Sequence, residues 1–125
     1  MAESRQHDTR RVVVIGPCAS GKTSLTTRLQ ALGYDARACG QEHSEIPELW
    51  RRQQPDVLIG LRIDLETLRS RRSSTWSHRI YERQLDRLRP GFEHADLVID
   101  CDAIDQEAVV QTVVRWLEEH PEGRS

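Results

Sequence analysis

Residues 12–23 read Val12-Val13-Val14-Ile15-Gly16-Pro17-Cys18-Ala19-Ser20-Gly21-Lys22-Thr23, and this stretch decides the fold. Its first four residues are apolar and β-branched without interruption. That is the pattern of a strand buried on both faces, as parallel sheets require. Gly16 ends the run. From Gly21 onward, Leu25, Leu29 and Leu32 recur at i, i+4 and i+7, which predicts an amphipathic helix over 21–32 with Gly33 as its C′ residue. Between strand and helix lies the spacing G-x-x-x-x-G-K-[ST]. Glycine at both ends of such a turn lets the backbone adopt unusual dihedrals and approach a ligand closely. The helix that follows offers unpaired N–H groups and the positive end of its dipole to an anion. The candidate phosphate-binding residues are Gly16, Pro17, Cys18, Ala19, Ser20, Gly21, Lys22, Thr23 and Ser24. In this reading Lys22 reaches the β- and γ-phosphates, and the Thr23 hydroxyl ligates Mg²⁺.

Composition sharpens the role of Lys22. Of 18 basic residues it is the only lysine. In a chain that otherwise uses arginine, a retained lysine marks a need for a compact ammonium group. The same count excludes a switch GTPase, whose base-reading Asn-Lys-x-Asp needs a second lysine.

Outward from this unit the pattern is alternating. Residues 35–41 form a possible second strand, with Ala36 and Ala38 on one side. Ser44 caps an expected short helix that holds Pro47 in its first turn, buries Leu49 and Trp50, and ends before Pro55. Residues 56–63 read as a buried strand, and Asp64 caps a helix to about Arg71 with Leu65 and Leu68 inward. Residues 72–75 are a polar loop. A long helix over 77–89 carries Ile80, Tyr81, Leu85 and Leu88 on one side and is expected to stop at Pro90-Gly91. Residues 95–100 are the last strand. Asp102 or Asp105 caps a final helix with Val109, Val113, Trp116 and Leu117 inward. Such alternation predicts an α/β fold: three layers, helices on both sides of a mostly parallel sheet of about four strands. One domain is expected over residues 11–120, after a flexible polar segment at 1–10.

The chain has 125 residues and a net charge of −2, which disfavours a nucleic-acid partner. No apolar run approaches the ~20 residues of a membrane helix, and no apolar signal-peptide core opens the chain, so a cytoplasmic protein is expected. The three cysteines, Cys18, Cys39 and Cys101, fit neither a zinc site nor a disulfide framework; they are expected to be reduced and partly buried.

Charge is nevertheless uneven. The segment 62–89 holds eight arginines and only four acids. Arg79, Arg83 and Arg87 follow at i, i+4 and i+8, one stripe of a helix, whereas Arg71, Arg72 and Arg79 flank the polar loop. A set of solvated helix faces is the plain explanation. The mechanistic one is a lid whose planar guanidinium groups meet phosphoryl oxygens. Trp76, in the same loop, either stacks on a base or folds into the core. After the second strand stands Gln41-Glu42-His43-Ser44, where strand ends border the ligand crevice of a parallel sheet. Glu42 is the candidate carboxylate there, to assist Mg²⁺ or take a proton from a hydroxyl acceptor, with His43 or Glu45 as alternatives; a polar loop capping the next helix is the plain reading. Asp64 ends another strand and reads more simply as a helix cap.

The glycine-rich segment resembles that of P-loop NTPases. Ser20 before Gly21-Lys22-Thr23 is similar to small-molecule and nucleotide kinases such as the shikimate, gluconate and adenylate kinases. The run from Leu58 to Arg72 resembles the strand and helix that precede their Arg-bearing lid, and Ala95 to Asp100 resembles their last strand, whose following loop borders the adenine. The resemblance spans roughly residues 11–32 and 56–118. It implies ATP and Mg²⁺ as ligands and γ-phosphate transfer to a small-molecule or nucleotide acceptor; with Glu42 chosen by its place at a strand end, the catalytic candidates are Lys22, Glu42, Arg72 and Arg79. Those kinases hold a sizeable acceptor region and an extra strand where this chain has only residues 33–55. The acceptor site is therefore abbreviated or built differently, which keeps a second reading open: a nucleotide-binding module or slow ATPase acting with a partner.

Overall fold

The computed structural model describes residues 9–17, 20–72, 77–102 and 104–121, the side chains of Arg71 and Arg72 excepted. At its centre runs β1 (Arg11–Ile15), hydrogen-bonded on both edges. On one side lies β2 (Asp35–Ala38) and on the other β3 (Val57–Arg62), with β4 (Leu97–Asp100) outside β3. All pairings are parallel, in the order β2-β1-β3-β4, with Val12 opposite both Ala36 and Val57, and Ile59 opposite Leu97. The expected sheet of about four strands is thus present and wholly parallel. A strand with neighbours on both edges and helices on both faces has no polar side to present, and Val12, Val13, Val14 and Ile15 are all 0% exposed.

Alternation along β1 divides the core. Val12 and Val14 face α1 (Lys22–Ala31) and α4 (Gln106–Glu119), where Leu25, Leu29, Val109, Val113 and Leu117 complete one apolar layer. Val13 and Ile15 face Trp50 and Leu88, the latter on α3 (His78–His94). A third, smaller cluster joins Ile63, Leu68 and Tyr81, and it holds α2 (Leu65–Arg72) against α3.

Local chemistry explains most element ends. After α1, Gly33 takes φ 100°. Its N–H bonds to the Gln30 carbonyl and that of Tyr34 to the Leu29 carbonyl, the paired bonds that close a helix C-terminus through a left-handed residue. Asp64 accepts from Thr67 N at 2.8 Å at the start of α2. Ser77 accepts from Ile80 N at 3.0 Å at the start of α3. Of the two candidate caps for α4, Asp105 is the one used, accepting from Ala108 N at 2.8 Å. β3 and β4 begin just after Asp56 and Asp96, which turn their carboxylates onto the N–H groups of Arg11 and Leu58.

Three expectations are corrected. No α-helix follows Ser44. The connection from β2 to β3 is made of two 3-10 segments, Gln41–His43 and Leu49–Gln53. Ser44 Oγ accepts from Ile46 N at 3.0 Å, which closes a turn rather than a helix. Ile46 precedes Pro47 and is thereby biased away from helical dihedrals. Trp50 is still buried, at 2% exposure. Secondly, Pro90-Gly91 does not stop α3, which runs on to His94. The missing bond of Pro90 is outweighed by the packing of the residues that follow it: a Cβ on Gly91 would lie 2.4 Å from Ile15 Cδ1, and one on Gly60 would lie 2.6 Å from the Phe92 ring. Bare backbone lets the last turn of α3 lie directly on the sheet. Thirdly, Ala38 and Ile80 are exposed, and Trp116 is only half-buried, stacked on His120 at 4.2 Å.

Cys39 and Cys101 are buried, and burial raises the Cys39 thiol above its ordinary value. Cys18 lies outside the described residues. No helix among the described residues is long and apolar enough to cross a membrane.

Candidate functional site

The parallel sheet delivers the C-terminal ends of β1, β2 and β3 to one edge, and the sequence places its candidate residues there. Gly16 follows β1 directly and is packed too tightly for any side chain. A Cβ would lie 2.6 Å from Ser20 Oγ and 2.9 Å from the Leu61 carbonyl oxygen. Ser20 N closes the turn onto the Pro17 carbonyl at 3.1 Å. Gly21 then takes φ 101° and opens α1 without a side-chain cap. No acidic residue stands in the first turn of α1, so nothing on the helix itself neutralises its positive end.

Lys22 folds back from this helix start under the turn. Its Nζ lies 2.8 Å from the Gly16 carbonyl oxygen, 3.4 Å from that of Pro17, and 2.6 Å from Glu42 Oε2. Glu42 comes from the 3-10 segment after β2, and only 4% of its side chain is exposed. Two of the four catalytic candidates from the sequence, Lys22 and Glu42, are therefore in direct contact. Thr23 and Ser24 are exposed on the first turn of α1, so the Thr23 hydroxyl is open to a metal–phosphate ligand. Among the described residues no group of three or more His, Cys, Asp or Glu is placed to hold a metal on its own. A divalent ion here would draw most of its oxygens from phosphate and water, as Mg²⁺ commonly does.

Three features hold Glu42 in place. Gln41, 1% exposed, donates through Nε2 to the Ile46 carbonyl at 2.9 Å and accepts from Trp50 N at 3.3 Å, so it pins both ends of the following turn. Arg87 of α3 donates to the Glu42 carbonyl oxygen at 3.2 Å and pairs with Glu45 at 2.5 Å. His43 Nε2 stands 3.5 Å from Glu42 Oε2. Of the arginine stripe, then, Arg87 meets the site through Glu42. Arg79 and Arg83 are exposed, and Arg79 lies two turns, about 12 Å, along α3 from Arg87. The structure does not bring Arg79 to Lys22. The side chain of Arg72, residues 73–76 with Trp76, and Cys18 and Ala19 lie outside the described residues.

Clefts open along this edge of the sheet among the described residues. One lies between the starts of α1 and α4, lined by Gly21, Leu25, Ile104, Gln106 and Val109; the Gln106 amide rests where a Cβ on Gly21 would sit, 2.6 Å away. Another opens at the ends of β3 and β4 among Asp64, Asp100, Asp102 and Tyr81. There the Thr67 N–H holds Asp64 below its ordinary range, whereas burial, then Asp100 and Asp64, push Asp102 up. Sequence reasoning did not single out Gln41, Arg87 as a support of Glu42, or Gln106. Polar residues carry no periodic signal, and their roles depend on partners distant in the chain. No family model matches the chain, and no curated protein matches it.

Proposed function

We propose that this chain binds ATP with Mg²⁺ and acts as a small kinase, transferring the γ-phosphate to a hydroxyl or phosphate group of a small-molecule or nucleotide acceptor. One observation carries the reading: the chain's single lysine reaches back beneath a glycine-bounded turn at a helix start, beside a buried carboxylate. A strand-to-helix turn of this kind offers backbone N–H groups and a helix dipole to phosphates. Lys22 would contact β- and γ-oxygens. Thr23 would hold Mg²⁺, which supplies charge neutralisation across the phosphates when bound. With a hydroxyl acceptor, the acceptor oxygen bonds to the γ-phosphorus, the bond to ADP breaks, and Glu42 takes the hydroxyl proton.

A second reading rests on a specific observation: the β2–β3 connection consists of 3-10 turns, with no α-helix to frame an acceptor pocket. This favours a nucleotide-binding module or slow ATPase completed by a partner. One experiment separates the two. Calorimetry with ATP and Mg²⁺ is run on the unaltered protein and on Lys22→Ala, and transfer is assayed against a panel of hydroxyl and phosphate acceptors. Loss of roughly a hundredfold or more in affinity on removing two charge-assisted bonds supports the site. Transfer to any acceptor supports the kinase, and hydrolysis alone supports the module. Unchanged affinity in Lys22→Ala would overturn both.

A further inference from the structure

An ammonium group has three N–H donors. Among the described residues three oxygens meet Lys22 Nζ: Gly16 O at 2.8 Å, Pro17 O at 3.4 Å and Glu42 Oε2 at 2.6 Å. A phosphate oxygen can therefore bond to Nζ only by displacing one of them. Two are neutral carbonyls of the turn. The third is the shortest contact and the only anion. With the Lys22 and Glu42 side chains just 11% and 4% exposed, little water separates a carboxylate from a phosphate that shares its ammonium. Like charges so placed repel strongly.

We infer that Glu42 is a built-in competitor for the phosphate site: its carboxylate occupies Lys22 when the site is empty and must leave before a polyphosphate can bind. This rests on the phosphate-binding reading of the turn proposed above. The backbone of Glu42 is fixed, by Gln41 spanning to Ile46 and Trp50 and by Arg87 on the Glu42 carbonyl oxygen. Release is therefore a side-chain rotation. His43 Nε2 stands 3.5 Å from Oε2 on an exposed side chain. The arrangement orders events. The carboxylate is neutralised in the empty protein, and it is freed to take a proton only once phosphate has replaced it on Lys22. Ground-state affinity for phosphate is lowered by the cost of parting the ion pair.

The test is isothermal titration of pyrophosphate, without Mg²⁺, into the unaltered protein, Glu42→Gln and Glu42→Asp. Gln keeps the shape and removes the competing charge; it is expected to tighten pyrophosphate binding by about tenfold or more. Asp keeps the charge but draws it back one methylene from Nζ, and it is expected to tighten binding a few-fold. Asp also keeps a carboxylate facing the buried ammonium, so it carries the test alone should Gln fail to fold. Affinity equal to or weaker than that of the unaltered protein in the folded variants overturns the inference while leaving the phosphate site standing, provided Lys22→Ala still abolishes binding. If neither the unaltered protein nor the variants bind pyrophosphate or ATP, the phosphate-binding reading fails and the competitor falls with it.

Discussion

Residues 16–33 and residues 39–55 both build the candidate site, but they turn the backbone in different ways. Among the described residues of the first region each left-handed one is a glycine: Gly21 at φ 101° and Gly33 at φ 100°. In the second they are Glu48 at φ 57° and Gln54 at φ 53°. For residues with a Cβ that conformation costs about 1–2 kcal/mol each. The first region is locally consistent, with turn chemistry, helix period and closing bonds all pointing to one structure. In the second, local preference is overruled by tertiary contacts. Trp50 is buried against β1 and α3, and Gln41 ties the turn to it. A segment that reads as a short helix is instead a pair of 3-10 turns, yet it buries Trp50 as expected.

The sharpest way to break this comparison is Trp50→Ala. If residues 39–55 are held by burial, removing a 2% exposed tryptophan is expected to cost about 3–5 kcal/mol, the range for large aromatic truncations. Leu29→Ala, in the regular region and 0% exposed, is expected to cost about 2–5 kcal/mol. Guanidinium unfolding midpoints of the two variants would be compared. A cost under about 1 kcal/mol at Trp50 would return the connection to the status of a surface loop.

This contrast also explains what was legible in the sequence. The sheet, its four strands and the α1 turn were readable because Val12 to Ile15 and the Leu25–Leu29 period are apolar patterns that fix a strand and a helix without outside help. Glu42 was legible only as a position, the end of a strand beside the glycine turn; that its carboxylate lies on Lys22 depends on a 3-10 turn no pattern announces. Glu48 and Gln54 hid two turns, because neither is the glycine or asparagine that signals φ above zero. Pro90-Gly91 misled in the opposite direction. It carries a stop signal, yet Gly91 is where α3 comes within contact of Ile15 and Trp50.

A smaller effect sharpens the backbone half of the comparison. Gly33→Ala puts a Cβ on a residue at φ 100° and is expected to destabilise by about 1–2 kcal/mol. Gln54→Gly relieves the same kind of strain at φ 53°, offset by the greater freedom of glycine in the unfolded chain, and is expected to stabilise by a few tenths to about 1 kcal/mol. Opposite signs in thermal melts are the result that supports the contrast. A loss of stability in Gln54→Gly would mean the second region is not strained there.

The smallest expected effect concerns how the regular region is closed at its outer surface. Arg28 of α1 meets Glu107 in the first turn of α4, and Glu107 is also bonded to Gln111. The hydrogen bond from Arg28, then that from Gln111, lowers the Glu107 carboxyl to about 2 from an ordinary 4.5. Because the folded value lies below the unfolded one, the contribution to stability is fully present above about pH 4.5 and fades as pH falls toward 2. The pair is exposed, so salt should weaken it, whereas the buried Lys22–Glu42 contact should respond far less. Unfolding midpoints of the unaltered protein and Glu107→Gln, taken at pH 7 and stepped downward, should therefore differ slightly at neutral pH and converge on approaching pH 2. A difference that persists at pH 2, or one that grows with added salt, would show that Glu107 acts through packing of its stem on α1 rather than through its charge.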